Sequence, residues 1–197
     1  MNTEAKLSLA KRKKAQGNDL FKLERWEDAC LRYDAASKVV RYEGNLSAEE
    51  KTVLNTLKEQ CFGNMAACKS KLELWDEVVK LATEALTLDA GNVKALFRRG
   101  HAHAQRNEHE LARSDLQAAL AIDPHNEAVR KALAPIEARM RAEKEKEKRL
   151  FAGLFGKVSL VSEAESALPK PKPKAKTTTT SAESAAPTGS TSDGAQQ

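Results

Sequence analysis

A repeat constrains this chain more than any other feature. Ala-Leu-Thr-Leu-Asp-Ala at 85–90 returns as Ala-Leu-Ala-Ile-Asp-Pro at 119–124, an offset of 34 residues, and at that offset Asn92 meets Asn126 and Ala66 meets Gly100. A period of this length holds one helix–turn–helix unit, which cannot bury its apolar face alone and must stack on copies of itself. Small residues then mark where two helices cross closely, and larger ones fill the layers between them. Composition agrees: aromatics are 5% of 197 residues, few for a β-sandwich core, while 31% charged residues suit helices with solvated outer faces.

The small positions define three units. The first has Gly17, Ala29, Tyr33 and Ala36; the second Ala66, Ala82 and Ala85, with Val78 where a small residue is usual; the third Gly100, Ala112, Leu116, Ala119 and Pro124. This pattern resembles the tetratricopeptide repeat. Gly17 and Ala66 lie 49 residues apart, which leaves 15 extra residues near 41–57, where Ser47-Ala-Glu-Glu reads as a helix-capping box. That extra length resembles the tetratricopeptide domains of large FKBP-type and cyclophilin-type immunophilins, over about residues 6–156.

The expected fold is all-α, with helices near 5–23, 26–42, 47–72, 75–88, 92–107, 109–121 and 125–155. The resemblance implies three helix pairs (5–42, 47–90 and 92–124) stacked as a right-handed superhelix within residues 1–124. A long helix at 125–156 should cap the third pair, with a kink or break at Pro135. Residues 157–197 carry Pro-Lys-Pro-Lys-Pro-Lys, four threonines and a Ser/Ala/Thr/Gly mixture, and are expected to form a disordered tail.

No apolar run approaches the ~18–20 residues of a membrane span, and the N-terminus shows no signal-peptide core, so a soluble, intracellular chain is expected. Cys30, Cys61 and Cys68 sit in apolar helical pattern with no CxxC pair, which reads as buried, reduced thiols. Residues 161–197 carry four lysines against four acids, so the net charge of +5 lies entirely in residues 1–160. A basic folded region suits nucleic acid, an anionic surface or an acidic peptide.

Spacing chooses among these. Lys14 and Asn18 stand i, i+4 on one first helix, Lys94 and Arg98 stand likewise on another, and Asn64 lies on the helix between. Two lysines, an arginine and two amides, with no acid among them, suit two adjacent carboxylates, such as the terminal carboxylate and side chain of a C-terminal Asp. The set Lys14-Ala-Gln-Gly-Asn18, Asn64 and Lys94-Ala-Leu-Phe-Arg98 resembles the carboxylate-clamp class of tetratricopeptide domains. That class binds the C-terminal Glu-Glu-Val-Asp of cytosolic heat shock proteins 90 and 70. The resemblance implies that Lys14, Asn18 and Asn64 hold the terminal carboxylate, that Lys94 meets the aspartate side chain, and that Arg98 adds a donor. It also implies apolar peptide contacts at Phe21 and Ala67, and a co-chaperone or chaperone adaptor located in the cytoplasm, with the nucleus as a second location.

Other signals are weaker. Lys11-Arg12-Lys13-Lys14 could serve nuclear import or nucleic acid, but no aromatics interleave to stack bases. Leu150, Phe151, Leu154, Phe155 and Val158 form an apolar stripe beside basic residues. It resembles the segment after the last repeat of large immunophilins, some of which engage calmodulin there; packing back onto the repeats needs the same spacing. Catalysis, metals and cofactors find no support. His101 and His103 diverge on a helix, His109 and His125 are placed in turns, and no phosphate-cradling loop or nucleophile–base pair occurs. The alternatives to a chaperone adaptor are the repeat part, or a relative, of an immunophilin peptidyl-prolyl isomerase without its catalytic domain, for which repeats beginning almost at Met1 are expected to leave no room, and a basic nucleic-acid-associated adaptor.

Overall fold

The computed structural model describes residues 3–40 and 47–166, with side chains placed through residue 153. Among them the chain forms seven α-helices and no strand: α1 (Thr3–Lys22), α2 (Trp26–Val39), α3 (Ala48–Lys71), α4 (Trp75–Leu88), α5 (Val93–Gln105), α6 (His109–Ile122) and α7 (Glu127–Ser166). No helix among the described residues is long and apolar enough to cross a membrane. The chain through Phe151 forms one compact unit, and a second begins at Ala152.

Helices pair in sequence order, α1 with α2, α3 with α4 and α5 with α6, and each pair packs on the next. The small positions carry the crossings: Ala29, Ala66, Ala82, Ala85, Ala102, Ala112 and Ala119 are fully buried. At Gly17 an added β-carbon would stand 2.7 Å from the Tyr33 ring, and at Gly100 it would stand 3.0 Å from Leu116 and 3.2 Å from the Ala112 carbonyl. Neither position accepts even alanine without moving a neighbour.

One turn design closes all three pairs. Glu24, Glu73 and Asn107 have φ of 59°, 57° and 61°. Around them Arg25 N–H donates to Leu20 C=O, Leu74 N–H to Lys69 C=O and Glu108 N–H to His103 C=O at 2.9–3.0 Å. A second bond of 3.1–3.3 Å, from each left-handed residue to the carbonyl three residues before it, completes a Schellman motif, which satisfies carbonyls the helix end leaves open. These residues are 49 and 34 apart, the same register as the small positions.

Helix starts follow polar caps where sequence offers them. Ser47 forms the expected capping box with Glu50 at the start of α3. Asn92 accepts from Ala95 N–H at 2.9 Å, and its repeat partner Asn126 accepts from Val129 N–H at 3.2 Å. The extra residues before the second unit are part of α3 from Ala48 onward, where Leu54 and Leu57 bury against Ala10 of α1 and Val40; residues 41–46 lie outside the described residues.

As expected, α7 covers the third pair: Val129, Leu133 and Ile136 join Leu96, Ala112, Leu116 and Ala119 in one cluster. Beneath it Arg99 grips the buried Asp115 through two bonds of 2.7 and 2.8 Å, and Asp115 lies 3.9 Å from His103. Helix α7 runs through Pro135 without a break, one of the two outcomes expected there, because Pro removes one donor and the remaining ladder continues on both sides. Two expectations need correction. Helix α7 continues to Ser166, past the Gly156 boundary expected for the tail; residues 167–197 of the expected tail lie outside the described residues. His109 opens α6 instead of lying in a turn.

Cys61 and Cys68 are buried and Cys30 is half-buried, all as free thiols. Burial pushes the Cys61 thiol up to about 11 and the Cys68 thiol up to about 12. Because the thiolate is the reactive form, iodoacetamide at neutral pH should leave Cys61 and Cys68 unmodified in the native protein and label both in denaturant, as read by peptide mass spectrometry. A left-handed backbone costs an L-residue about 1 kcal/mol, so Glu73→Gly should stabilise the fold by up to about that amount, read as a higher urea midpoint. Gly17→Ala should lower stability by roughly 1–2 kcal/mol despite its better helix propensity, through overpacking against Tyr33.

Candidate functional site

The first helices of the pairs, α1, α3 and α5, lie side by side, with α3 touching both of the others. Their facing side chains meet across these contacts. Lys14 on α1 donates to Gln60 Oε1 on α3 at 2.5 Å. Asn64 Nδ2 on α3 donates to Asn18 Oδ1 on α1 at 3.4 Å, and the Tyr33 hydroxyl donates to that same oxygen at 2.8 Å. With its carbonyl oxygen so occupied, Asn18 is left with its amide N–H groups to offer a ligand. Tyr33 is nearly fully buried, and burial pushes its hydroxyl up to about 12, so it stays protonated and remains a donor.

The other half of the site stands on α5. Lys94 is exposed in the first turn, and Arg98 is half-buried one turn later. The Arg98 guanidinium lies against α3 at Gly63, where an added β-carbon would be 3.7 Å from Nη1. Burial pulls its pKa below the ordinary arginine value, a pull that nearby Cys68 and Glu59 oppose. Four of the five expected clamp residues thus appear in cross-helix contacts or against the neighbouring helix, and Lys94 projects beside them on the Arg98 helix.

An acid stands among these cations. Glu59 on α3 accepts a hydrogen bond from Asn92 Nδ2, while Asn92 caps the helix that carries Lys94 and Arg98. Burial first, then the Asp89 carboxylate, pushes the Glu59 carboxyl above its ordinary value; Lys14, Arg98 and Lys94 pull it back. Sequence spacing had singled out neither Glu59 nor Gln60, and had read Tyr33 only as a packing position. Gln60 carried a signal, being i, i+4 from Asn64; Glu59 did not.

Phe21 sits edge-on to Trp26 at 4.6 Å between ring centres and packs onto the Ala29–Tyr33–Met65–Cys68 cluster, so the first pair's core holds much of its surface. Ala67 is half-buried on α3, i, i+3 from Asn64. Leu150 and Phe151 of the apolar stripe are exposed, at 64% and 51%; the side chains of Leu154, Phe155 and Val158 lie outside the described residues. In the basic run, Lys11 and Arg12 are exposed and Lys14 is engaged with Gln60. His101 packs against Trp75 and Phe97, and His103 Nδ1 meets Glu108 at 2.6 Å. Among the described residues no three His, Cys, Asp or Glu side chains gather as metal ligands.

Residues 93–126 match the family model of the tetratricopeptide repeat. Human peptidyl-prolyl cis-trans isomerase FKBP4 is 35% identical over 159 residues, which cover 81% of this chain and 35% of FKBP4. The chain therefore spans about a third of the length of that relative. The Hsp90 co-chaperone Cns1 of Saccharomyces cerevisiae superposes with a TM-score of 0.61 at 27% identity, over 82% of this chain and 48% of Cns1. The C-terminal repeat domain of a putative FK506-binding protein of Plasmodium falciparum gives 0.67 at 23% identity, over 74% of this chain and 97% of that one. The first repeat domain of RPAP3, bound to the Hsp90 peptide SRMEEVD, shares the fold with a TM-score of 0.57 at 20% identity, over 68% of this chain and 94% of that one. Period, helix pairing, turn design and these likenesses agree: the chain carries a tetratricopeptide-repeat domain similar to those of immunophilins and heat-shock-protein co-chaperones.

Proposed function

We propose that this domain is a chaperone adaptor that holds the C-terminal carboxylates of cytosolic heat shock protein 90, heat shock protein 70, or both. The observation that supports the reading is that Lys14 and Asn18 stand on α1, Asn64 on α3, and Lys94 and Arg98 on α5, three successive first helices, with Asn64 donating a hydrogen bond to Asn18. On this reading Lys14 and the two amides receive the peptide's terminal carboxylate, Lys94 receives the final aspartate side chain, and Arg98 adds a donor from its half-buried position. Phe21 and Ala67 flank the peptide's apolar residue with whatever surface their packing leaves free.

The identity of Cns1 as an Hsp90 co-chaperone and the peptide bound to RPAP3 support the partner class, each as a property of that protein. The work done is binding, without catalysis by this domain. The isomerase activity in the name of FKBP4 would need chain beyond the matched third. A cytoplasmic location, with the nucleus as a second, accompanies such a partner. Leu150 and Phe151 offer an exposed apolar pair for a second partner such as calmodulin.

A peptide ending in Glu-Glu-Val-Asp should bind with roughly micromolar affinity, because a short flexible chain loses entropy on ordering. Lys14→Ala and Lys94→Ala should each weaken it by about 1–3 kcal/mol in calorimetric titration, with the melting temperature unchanged. The two losses should not add, since both groups serve one ligand. Amidating the peptide's C-terminus should remove most binding; equal affinity of amide and free acid would overturn the clamp.

A further inference from the structure

The groove has a carboxylate of its own. Glu59 projects from α3 between the lysine of α1 and the two cations of α5, and its Oε1 and Arg98 Nη1 both lie within 4.0 Å of the open position beside Gly63. Lys14, Lys94 and Arg98 all act on it electrostatically, and Asp89 at the end of α4 acts with the opposite sign. We propose that Glu59 is the resident counter-ion of the site, a carboxylate that neutralises the clamp cations when the groove is empty and that an incoming ligand carboxylate must compete with. The inference rests on the carboxylate-clamp reading and adds to it a residue that sets affinity without touching the ligand.

The physical argument is that a half-buried cation left alone in a groove is costly, and a nearby acid relieves that cost. The relief belongs to the empty state. When a ligand brings its own carboxylates, Glu59 becomes surplus negative charge facing them, and part of the attraction is spent against it. Burial makes this acid reluctant to carry its charge, which fits a group held in place by position and by its bond from Asn92 more than by a tight ion pair.

Glu59 also has a structural duty, because Asn92 both donates to it and caps α5. Two substitutions separate the roles. Glu59→Gln keeps an acceptor for Asn92 and removes the charge; Glu59→Ala removes both. Titrating each variant and the parent with a peptide ending in Glu-Glu-Val-Asp, in free-acid and amidated forms, tests the proposal. Glu59→Gln should bind the free acid roughly three- to fivefold tighter at low salt, the scale of one partly solvated charge pair, and the gain should shrink as salt is raised. Its melting temperature should equal the parent's or fall slightly, because the empty groove loses that relief. Glu59→Gln binding no more tightly than the parent, with Glu59→Ala weaker, would assign Glu59 to holding Asn92 alone and overturn the proposal while the clamp stands. Failure of the parent and both variants to prefer the free acid over the amide would overturn the clamp reading and this inference together.

Discussion

Where Gly17 faces Tyr33 and Gly100 faces Leu116, the paired helices come closer than any β-carbon would allow, and the rest of the domain is arranged around that approach. A close crossing lets the fully buried alanines of both helices touch backbone and fill the layer without voids. It also brings the Tyr33 hydroxyl within reach of Asn18 on the partner helix. Packing and recognition are therefore joined at one place. The glycine that admits the Tyr33 ring sits one residue before the asparagine that the same ring orients.

Most of the architecture was legible because it repeats. The small positions recur with the helices, and the polar caps Ser47 and Asn92 announce where α3 and α5 begin. What escaped had no periodic signature. Glu24 and Glu73 occupy left-handed positions that usually advertise themselves as glycine, so the shared turn could not be read from residue type. The α7 helix runs through Pro135 and on past Gly156, so the low helix propensity of these residues did not mark where it ends.

The site divides the same way. Lys14, Asn18, Lys94 and Arg98 were visible as i, i+4 pairs, since each pair shares one helix and one face. Glu59 belongs to the site through a contact between helices, with Asn92 at the start of α5, and no spacing within α3 marks it. Basic composition likewise described the groove incompletely. Its cations are arranged around an acid, so the local field is less positive than a count of lysines and arginines suggests.

Repeat stacks are held mainly by contacts between neighbours, so their ends fray more easily than their middle. The donors of the proposed clamp are spread over α1, α3 and α5, one helix from every pair. A ligand that engages all of them runs along the stack like a strap and ties the first pair to the third, which meet only through the second. Its binding energy then counts against separation of any one unit from the others, and adds to the interfaces that already join neighbouring pairs.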